Sequence, residues 1–157
     1  MIINLVRIDD RLIHGQVATV WAKEAKAERI IVCSDQVAND QIRKSLLLQV
    51  APPGISVNVI GIDKAIRVYK NPKYENDHVF YLFTCPQDIV RMVEGGVDIK
   101  SVNIGGMAFR EGKKQITKAV SVDDSDREAF KKLNDLGIEL EIRTVATDSK
   151  TNIMDKL

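Results

Sequence analysis

Ile2-Ile3-Asn4-Leu5-Val6-Arg7-Ile8, then a short charged loop, then Val17-Ala18-Thr19-Val20-Trp21-Ala22-Lys23-Glu24-Ala25-Lys26-Ala27, then Arg29-Ile30-Ile31-Val32-Cys33: this opening stretch reads as strand, helix, strand. The first and last pieces are short β-branched runs of the kind found in strands covered on both faces. Between them, Val17, Val20, Trp21 and Ala25 fall near i, i+3, i+4 and i+8, which draws one apolar stripe along a helix. Two such strands joined by a helix make a βα unit, and the unit repeats down the chain.

Further strands are expected at residues 57–60, 79–83, 102–104 and 140–145, all rich in Val, Ile, Leu or Phe. Asn39-Asp40 supplies an N-cap for a helix whose apolar face is Ile42, Leu46, Leu47 and Val50, and Pro52-Pro53-Gly54 ends it. Residues 63–69 make a short helix closed by Asn71-Pro72. Residues 86–94 start on a proline suited to a first turn and stop at Gly95-Gly96. The last helix, 123–136, turns Ala129, Phe130, Leu133 and Leu136 inward and stops at Gly137. Residues 107–122 read as a basic surface loop, with Ile116 and Ala119-Val120-Ser121-Val122 as a candidate strand. The expected fold is a single α/β domain with a mostly parallel central sheet covered by helices on both faces.

Composition narrows the function. With 157 residues there is room for one ordinary domain. At 45% hydrophobic and 29% charged it can bury a core. Twenty-three Lys and Arg stand against 22 Asp and Glu, a net charge of +1, and only 5% of residues are aromatic. Neither the basic face nor the stacking platform of a nucleic-acid binder is present. Cys33 and Cys85 have no zinc-ligand spacing and suit buried reduced thiols. No export signal and no membrane-spanning run appears, so a cytoplasmic location is expected.

In open α/β sheets ligands gather beyond the carboxyl ends of strands. The loop after the first strand reads Arg7-Ile8-Asp9-Asp10-Arg11-Leu12-Ile13-His14-Gly15-Gln16-Val17. An unperturbed imidazole has a pKa of about 6.5, so its neutral, nucleophilic form is well populated near pH 7. The start of the following helix offers N–H groups to an anion, and Gly15 lets it approach closely. Arg11 brings a planar fork suited to phosphoryl oxygens, and Asp9 can orient either Arg11 or His14. Each residue also has an ordinary structural reading: helix-dipole carboxylates for Asp9 and Asp10, a surface ion pair for Arg11, a solvated loop residue for His14. The cluster carries the functional reading.

Elsewhere the signals are weaker. His78 stands before the fourth strand, away from His14, and reads as structural. Gly105-Gly106 suits either a close backbone approach to a ligand or a plain turn, and Thr84 can offer a hydroxyl to the same pocket. Neither GxGxxG nor GxxxxGK[ST] occurs, which disfavours those modes of nucleotide binding.

The loop resembles the active-site motif of the IIB proteins of the mannose/fructose/sorbose family of the bacterial phosphoenolpyruvate-dependent sugar phosphotransferase system. Gln49-Val50-Ala51-Pro52-Pro53-Gly54, Asn71-Pro72-Lys73-Tyr74, Leu82-Phe83-Thr84 and Val102-Asn103-Ile104-Gly105-Gly106-Met107 resemble family segments in the same order, so the likeness covers residues 1–157 as one IIB domain. It implies a protein-phosphohistidine–sugar phosphotransferase subunit. His14 would accept a phosphoryl group on Nδ1 from a phosphorylated IIA protein or domain and pass it to a sugar held by membrane IIC/IID components. Arg11 matches the family's phosphoryl-binding arginine, Asp9 its loop-setting aspartate, and Gly15 and Gln16 complete the motif. No metal, cofactor or nucleic acid is implied. The chain would work in the cytoplasm, peripherally attached to the permease, with self-association into a homo-oligomer left open. Because Met1 leads straight into the first strand, the donor is expected on another chain. Details of residues 65–69 and 93–97 lean toward mannose-type members. The rim of the loop is expected to be a transient protein interface rather than a deep pocket. The alternative is a non-catalytic α/β module that holds an anionic metabolite in the same loop.

Overall fold

The computed structural model describes residues 1–157. Six strands form the parallel part of the sheet: β1 (Ile2–Asp9), β2 (Arg29–Cys33), β3 (Ser56–Ile60), β4 (His78–Phe83), β5 (Ser101–Gly106) and β8 (Glu139–Ile142). Their spatial order is β3-β2-β4-β1-β5-β8, closed by a short antiparallel edge strand, β9 (Thr151–Asn152). The chain leaves β1 toward β2 but leaves β5 toward β8. These neighbouring strands therefore send their connections opposite ways, the arrangement that opens a crevice at their carboxyl ends.

Side chains alternate across the strands and divide the interior in two. Val6, Ile8, Ile31, Cys33, Tyr81 and Phe83 face one side, where α4 (Ile62–Lys70), α5 (Pro86–Glu94) and α6 (Asp124–Asp135) complete a core of 26 buried residues. Ile30, Val32, Phe80 and Leu82 face the other, against Leu12, Val17, Trp21, Val37 and Leu47, in a core of only 14. The thinner layer carries the loop after β1. Asp123 caps α6 through a reciprocal capping box with Asp126, which fixes where that helix starts.

Several expectations need correcting. The helix after the loop is not regular: a π-helical turn (Val17–Trp21) runs into a single α-turn, α1 (Ala22–Ala25). A five-residue helix, α2 (Asp35–Asn39), was not foreseen; Ser34 starts it by accepting the Val37 N–H at 3.2 Å. On α3 (Gln41–Gln49), capped by Asp40 as expected, only Leu47 of the four apolar residues is buried, whereas Ile42, Leu46 and Val50 face outward. Leu136 lies past the end of α6 and is exposed as well. β8 stops at Ile142, three residues early, because Arg143 and Thr144 turn their carbonyls toward Arg7. Residues 107–122 fold into a small hairpin of β6 (Lys114–Gln115) and β7 (Ser121–Val122), so the strand reading holds only for its last two residues. No helix is long and apolar enough to cross a membrane.

Candidate active site

Asp9 is the last residue of β1 and is completely buried, although charged. Such a carboxylate persists only when its oxygens are well supplied with donors. Here Oδ1 accepts from the Arg11 backbone N–H and from Arg11 Nε, both at 3.2 Å. Oδ2 accepts from Arg7 Nη2 at 3.2 Å and Arg11 Nη2 at 3.4 Å, and lies 3.1 Å from His14 Nε2. Burial raises the pKa of this carboxyl, but the hydrogen bonds from His14 and Arg11 and the charge of Arg7 outweigh it and hold it below the ordinary aspartate value. Asp9 is therefore an anion that accepts a hydrogen bond from Nε2–H, leaving His14 Nδ1 without a partner in the chain.

The loop between Asp9 and His14 is tightly shaped. Leu12 is fully buried with φ +62°, a left-handed conformation costly for leucine, and its N–H closes a turn onto the Asp9 carbonyl at 2.9 Å. Asp10 fastens the loop from outside: its N–H donates to Gly106 O, its Oδ2 accepts the Ala108 N–H at 2.7 Å, and its carbonyl accepts from Arg43 Nη2 at 3.0 Å. His14 then heads the helix, its carbonyl receiving the first N–H, from Val17, at 2.8 Å. Gly15 and Gln16 precede that bond, so their N–H groups open the helix toward solvent. Gly15 has φ +34° with open space where a side chain would stand, and Gln16 is exposed.

Behind Asp9 lies a second layer of residues that the sequence reading passed over. Arg7 is wholly buried, with its guanidinium 4.5 Å from the centre of the Trp21 ring and Arg143 on the same ring at 5.1 Å. Besides Asp9, Arg7 donates to Asn103 Oδ1 and to the carbonyls of Arg143 and Thr144, at 3.1 and 3.2 Å. Burial lowers the pKa of Arg7, opposed by the neighbouring Asp9 charge. Glu141 accepts from Asn103 and grips Arg143 through two 2.8 Å bonds. Gly105 and Gly106 make room for these groups: a methyl on Gly105 would fall inside the Arg7 guanidinium, and one on Gly106 would press on Asp9 Oδ1 at 3.3 Å. The only hint in the sequence was an arginine set between Val6 and Ile8 in the buried part of a strand.

The expected residues thus converge unevenly. Asp9, Arg11 and His14 are in direct contact, Gly15 and Gln16 stand at the adjoining helix start, and the His14 side chain is 29% exposed against 56% for Arg11. The cavities beside Ile3 and Val6, Met1 and Arg29, Gln87 and Val90, Ala18 and Thr19, and Trp21 and Glu24 are lined by other residues and not by His14, Asp9 or Arg11. His78 lies at the amino end of β4, bonded through Nδ1 to Asn4 Oδ1 at 3.2 Å, and takes no part. Cys33 is sealed in the larger core, and burial pushes its thiol pKa well up. Burial likewise raises Cys85, to about 11. An imidazole held from behind by a carboxylate, with an exposed guanidinium and helix N–H groups beside it, is equipped to carry an anionic group on its free nitrogen.

Relatives share this fold. Residues 3–157 match the family model described as PTS system sorbose subfamily IIB component. The chain is 58% identical to the sorbose-specific EIIB component of Klebsiella pneumoniae, covering 100% of this chain and 96% of that one. The crystal structure of the IIBSor domain of the sorbose permease from K. pneumoniae, also 58% identical, superposes with a TM-score of 0.98 over 99% of this chain and 96% of that one. The mannose-specific EIIAB component of Escherichia coli K12 is 63% identical over 99% of this chain, which spans about half, 48%, of that protein's length. Fold and sequence agree, and the chain belongs to the sorbose subfamily of IIB components of the phosphotransferase system.

Proposed function

We propose that this protein is a phosphoryl carrier with His14 as the covalent site. The observation that carries the reading is the contact between His14 Nε2 and the buried Asp9 carboxylate, which leaves Nδ1 as the nucleophile. The donor is a phosphohistidine on a IIA protein or domain, consistent with the EIIAB composition named for the E. coli relative. The Nδ1 lone pair of neutral His14 attacks phosphorus in line with the donor ring. The P–N bond to that ring breaks with its electron pair, so a protonated donor phosphoimidazole departs as neutral imidazole. A P–Nδ1 bond forms, and the positive charge now sits on the His14 ring, where Nε2–H faces Asp9.

Arg11, more than half exposed, turns its free guanidinium edge to the phosphoryl oxygens, and the Gly15 and Gln16 N–H groups add donors at the helix start. In the onward step a sugar hydroxyl held by the membrane IIC/IID components attacks phosphorus. The Nδ1–P bond breaks, neutral His14 is restored, and the hydroxyl proton passes to solvent. The protein works at the cytoplasmic face of that permease and takes a mannose-type hexose. No metal or cofactor enters the scheme.

Incubation with phosphorylated IIA protein tests it: one acid-labile phosphoryl group is expected per chain, absent in His14→Ala. Labelling that persists in His14→Ala, or maps to His78, defeats the reading.

A further inference from the structure

Arg7 is a costly residue to bury. It is sealed inside β1, and its Nε–H finds no acceptor although it has no access to water. A buried ion pair seldom stabilises a fold more than a well-packed apolar residue of the same size, and a buried donor without a partner costs further. The two terminal nitrogens are fully engaged. Nη2 donates to Asp9 Oδ2 and to the Thr144 carbonyl, each at 3.2 Å, and Nη1 donates to Asn103 Oδ1 and the Arg143 carbonyl. These partners lie on β1, on β5 and just beyond β8, so the guanidinium is fixed from three elements, and Gly105 leaves it room. Asp9 Oδ2 has three donors. Arg11 and His14 stand at the solvent edge, 56% and 29% exposed, whereas Arg7 is sealed behind the carboxylate.

We propose that Arg7 is a positioning residue for phosphoryl transfer: from the side that the phosphoryl group never touches, it holds the Asp9 carboxylate in the orientation that keeps the His14 proton on Nε2. This inference rests on the carrier reading above. During transfer Arg11 divides its guanidinium between Asp9 and the incoming anion, and the His14 ring gains a positive charge. Both exposed donors to Oδ2 thus change state as the group arrives, and Arg7 does not. A carboxylate free to turn away would let the ring exchange tautomers, placing a proton on the nitrogen that has to react. Arg7 prevents that turn because its fork is planar and its other edge is anchored to Asn103 and the Arg143 carbonyl. A lysine would match the charge, but a single ammonium cannot meet four acceptors in the plane of the fork.

Two variants test it. Arg7→Lys keeps the charge and loses the fork, and Asn103→Ala keeps Arg7 but removes one of its anchors; thermal unfolding sets an assay temperature at which each is folded. The rate of His14 labelling is measured against the concentration of phosphorylated IIA protein, and separately with phosphoramidate, a small donor. In Arg7→Lys the maximal rate is expected to fall about 10- to 100-fold with both donors. The half-saturating concentration of phosphorylated IIA stays within about twofold of wild type, because Arg7 is not at the surface. Nitrogen–proton correlation spectra of the neutral His14 ring are expected to show one tautomer in the wild type, with the proton on Nε2, and a mixture in Arg7→Lys. Asn103→Ala should lie between the two in rate and in tautomer, and it decides by the same readings should Arg7→Lys not fold. A variant that is less stable but labels at the wild-type rate makes Arg7 purely structural and overturns the proposal. So does slow labelling with an unchanged tautomer, or a raised half-saturating concentration with an unchanged maximal rate. A wild-type ring with its proton on Nδ1 overturns it without any variant. Failure of the wild type to be labelled by either donor removes the carrier reading itself, whereas normal wild-type labelling with unaffected variants removes only the role of Arg7.

Discussion

Asp9 Oδ2 sits 3.1 Å from His14 Nε2, and the opposite ring nitrogen has no partner in the chain. Under the proposed carrier role the two nitrogens of one imidazole have different tasks, one to hold a proton against a carboxylate and one to react. The phosphorylated protein is expected to carry its group on Nδ1, read by nitrogen–phosphorus correlation in NMR. Asp9→Asn removes a hydrogen bond to a charged acceptor, worth about 1.5–3 kcal/mol, so acceptance of the phosphoryl group should slow about 10- to 100-fold. A rate within twofold of wild type would detach Asp9 from the chemistry.

Asp9 also bears on stability. Its carboxyl has a lower pKa in the folded protein than the value of about 3.9 expected when unfolded. Its contribution is then fully present above about pH 4 and is lost as the pH falls through the folded value. Urea midpoints of the wild type should drop in that acid window, and Asp9→Asn should flatten part of the drop. Asp126, also lowered, accounts for part of what remains: burial raises it, but bonds from Gln87, the Asp123 N–H and Lys113 prevail. At neutral pH, Asp9→Asn leaves the Arg7 guanidinium buried without its counter-charge, a loss of about 3–5 kcal/mol.

Gly105→Ala should destabilise the fold by about 1–3 kcal/mol, because a methyl there drives into the Arg7 guanidinium. For a chain of this size that lowers Tm by about 2–4 °C per kcal/mol. Gly15→Ala meets no neighbour, so its cost is confined to the backbone at φ +34°. Differential scanning calorimetry on the pair separates them; a Gly105 variant as stable as wild type would mean that Arg7 can move aside freely.

Trp21 is the only tryptophan; the guanidinium groups of Arg7 and Arg143 both meet its ring, and Arg7 in turn touches Asp9. Charge appearing on the His14 ring is felt through Asp9 and Arg7. Indole emission should change on phosphorylation with the same concentration dependence as labelling, and His14→Ala should abolish the change. Silent emission during full labelling would show that the layer behind the site is insulated from it.

How much of this was legible beforehand follows from what each feature depends on. Strand β2 and helix α5 coincide with their expected bounds because β-branched runs, a leading proline and a glycine stop are local signals. The cluster of Asp9, Arg11 and His14 lies within six residues and could be read as a unit. The Arg7 network could not, since its partners Asn103, Arg143 and Thr144 are about a hundred residues or more away. Periodicity also fails to say what covers an apolar stripe: Ile42, Leu46 and Val50 have the spacing of a core face but lie outside the core. The π-turn at Val17–Trp21 leaves no mark in the apolar pattern.

Leu12 holds a strained backbone angle while its side chain fills the smaller core. A residue so constrained on both counts acts as a latch: the loop cannot relax without emptying a place in the interior. The histidine is therefore presented in one fixed pose to whatever approaches it. Any accommodation in an encounter has to come from the visiting molecule, and under the proposed carrier role that lets a single imidazole serve two dissimilar visitors in turn.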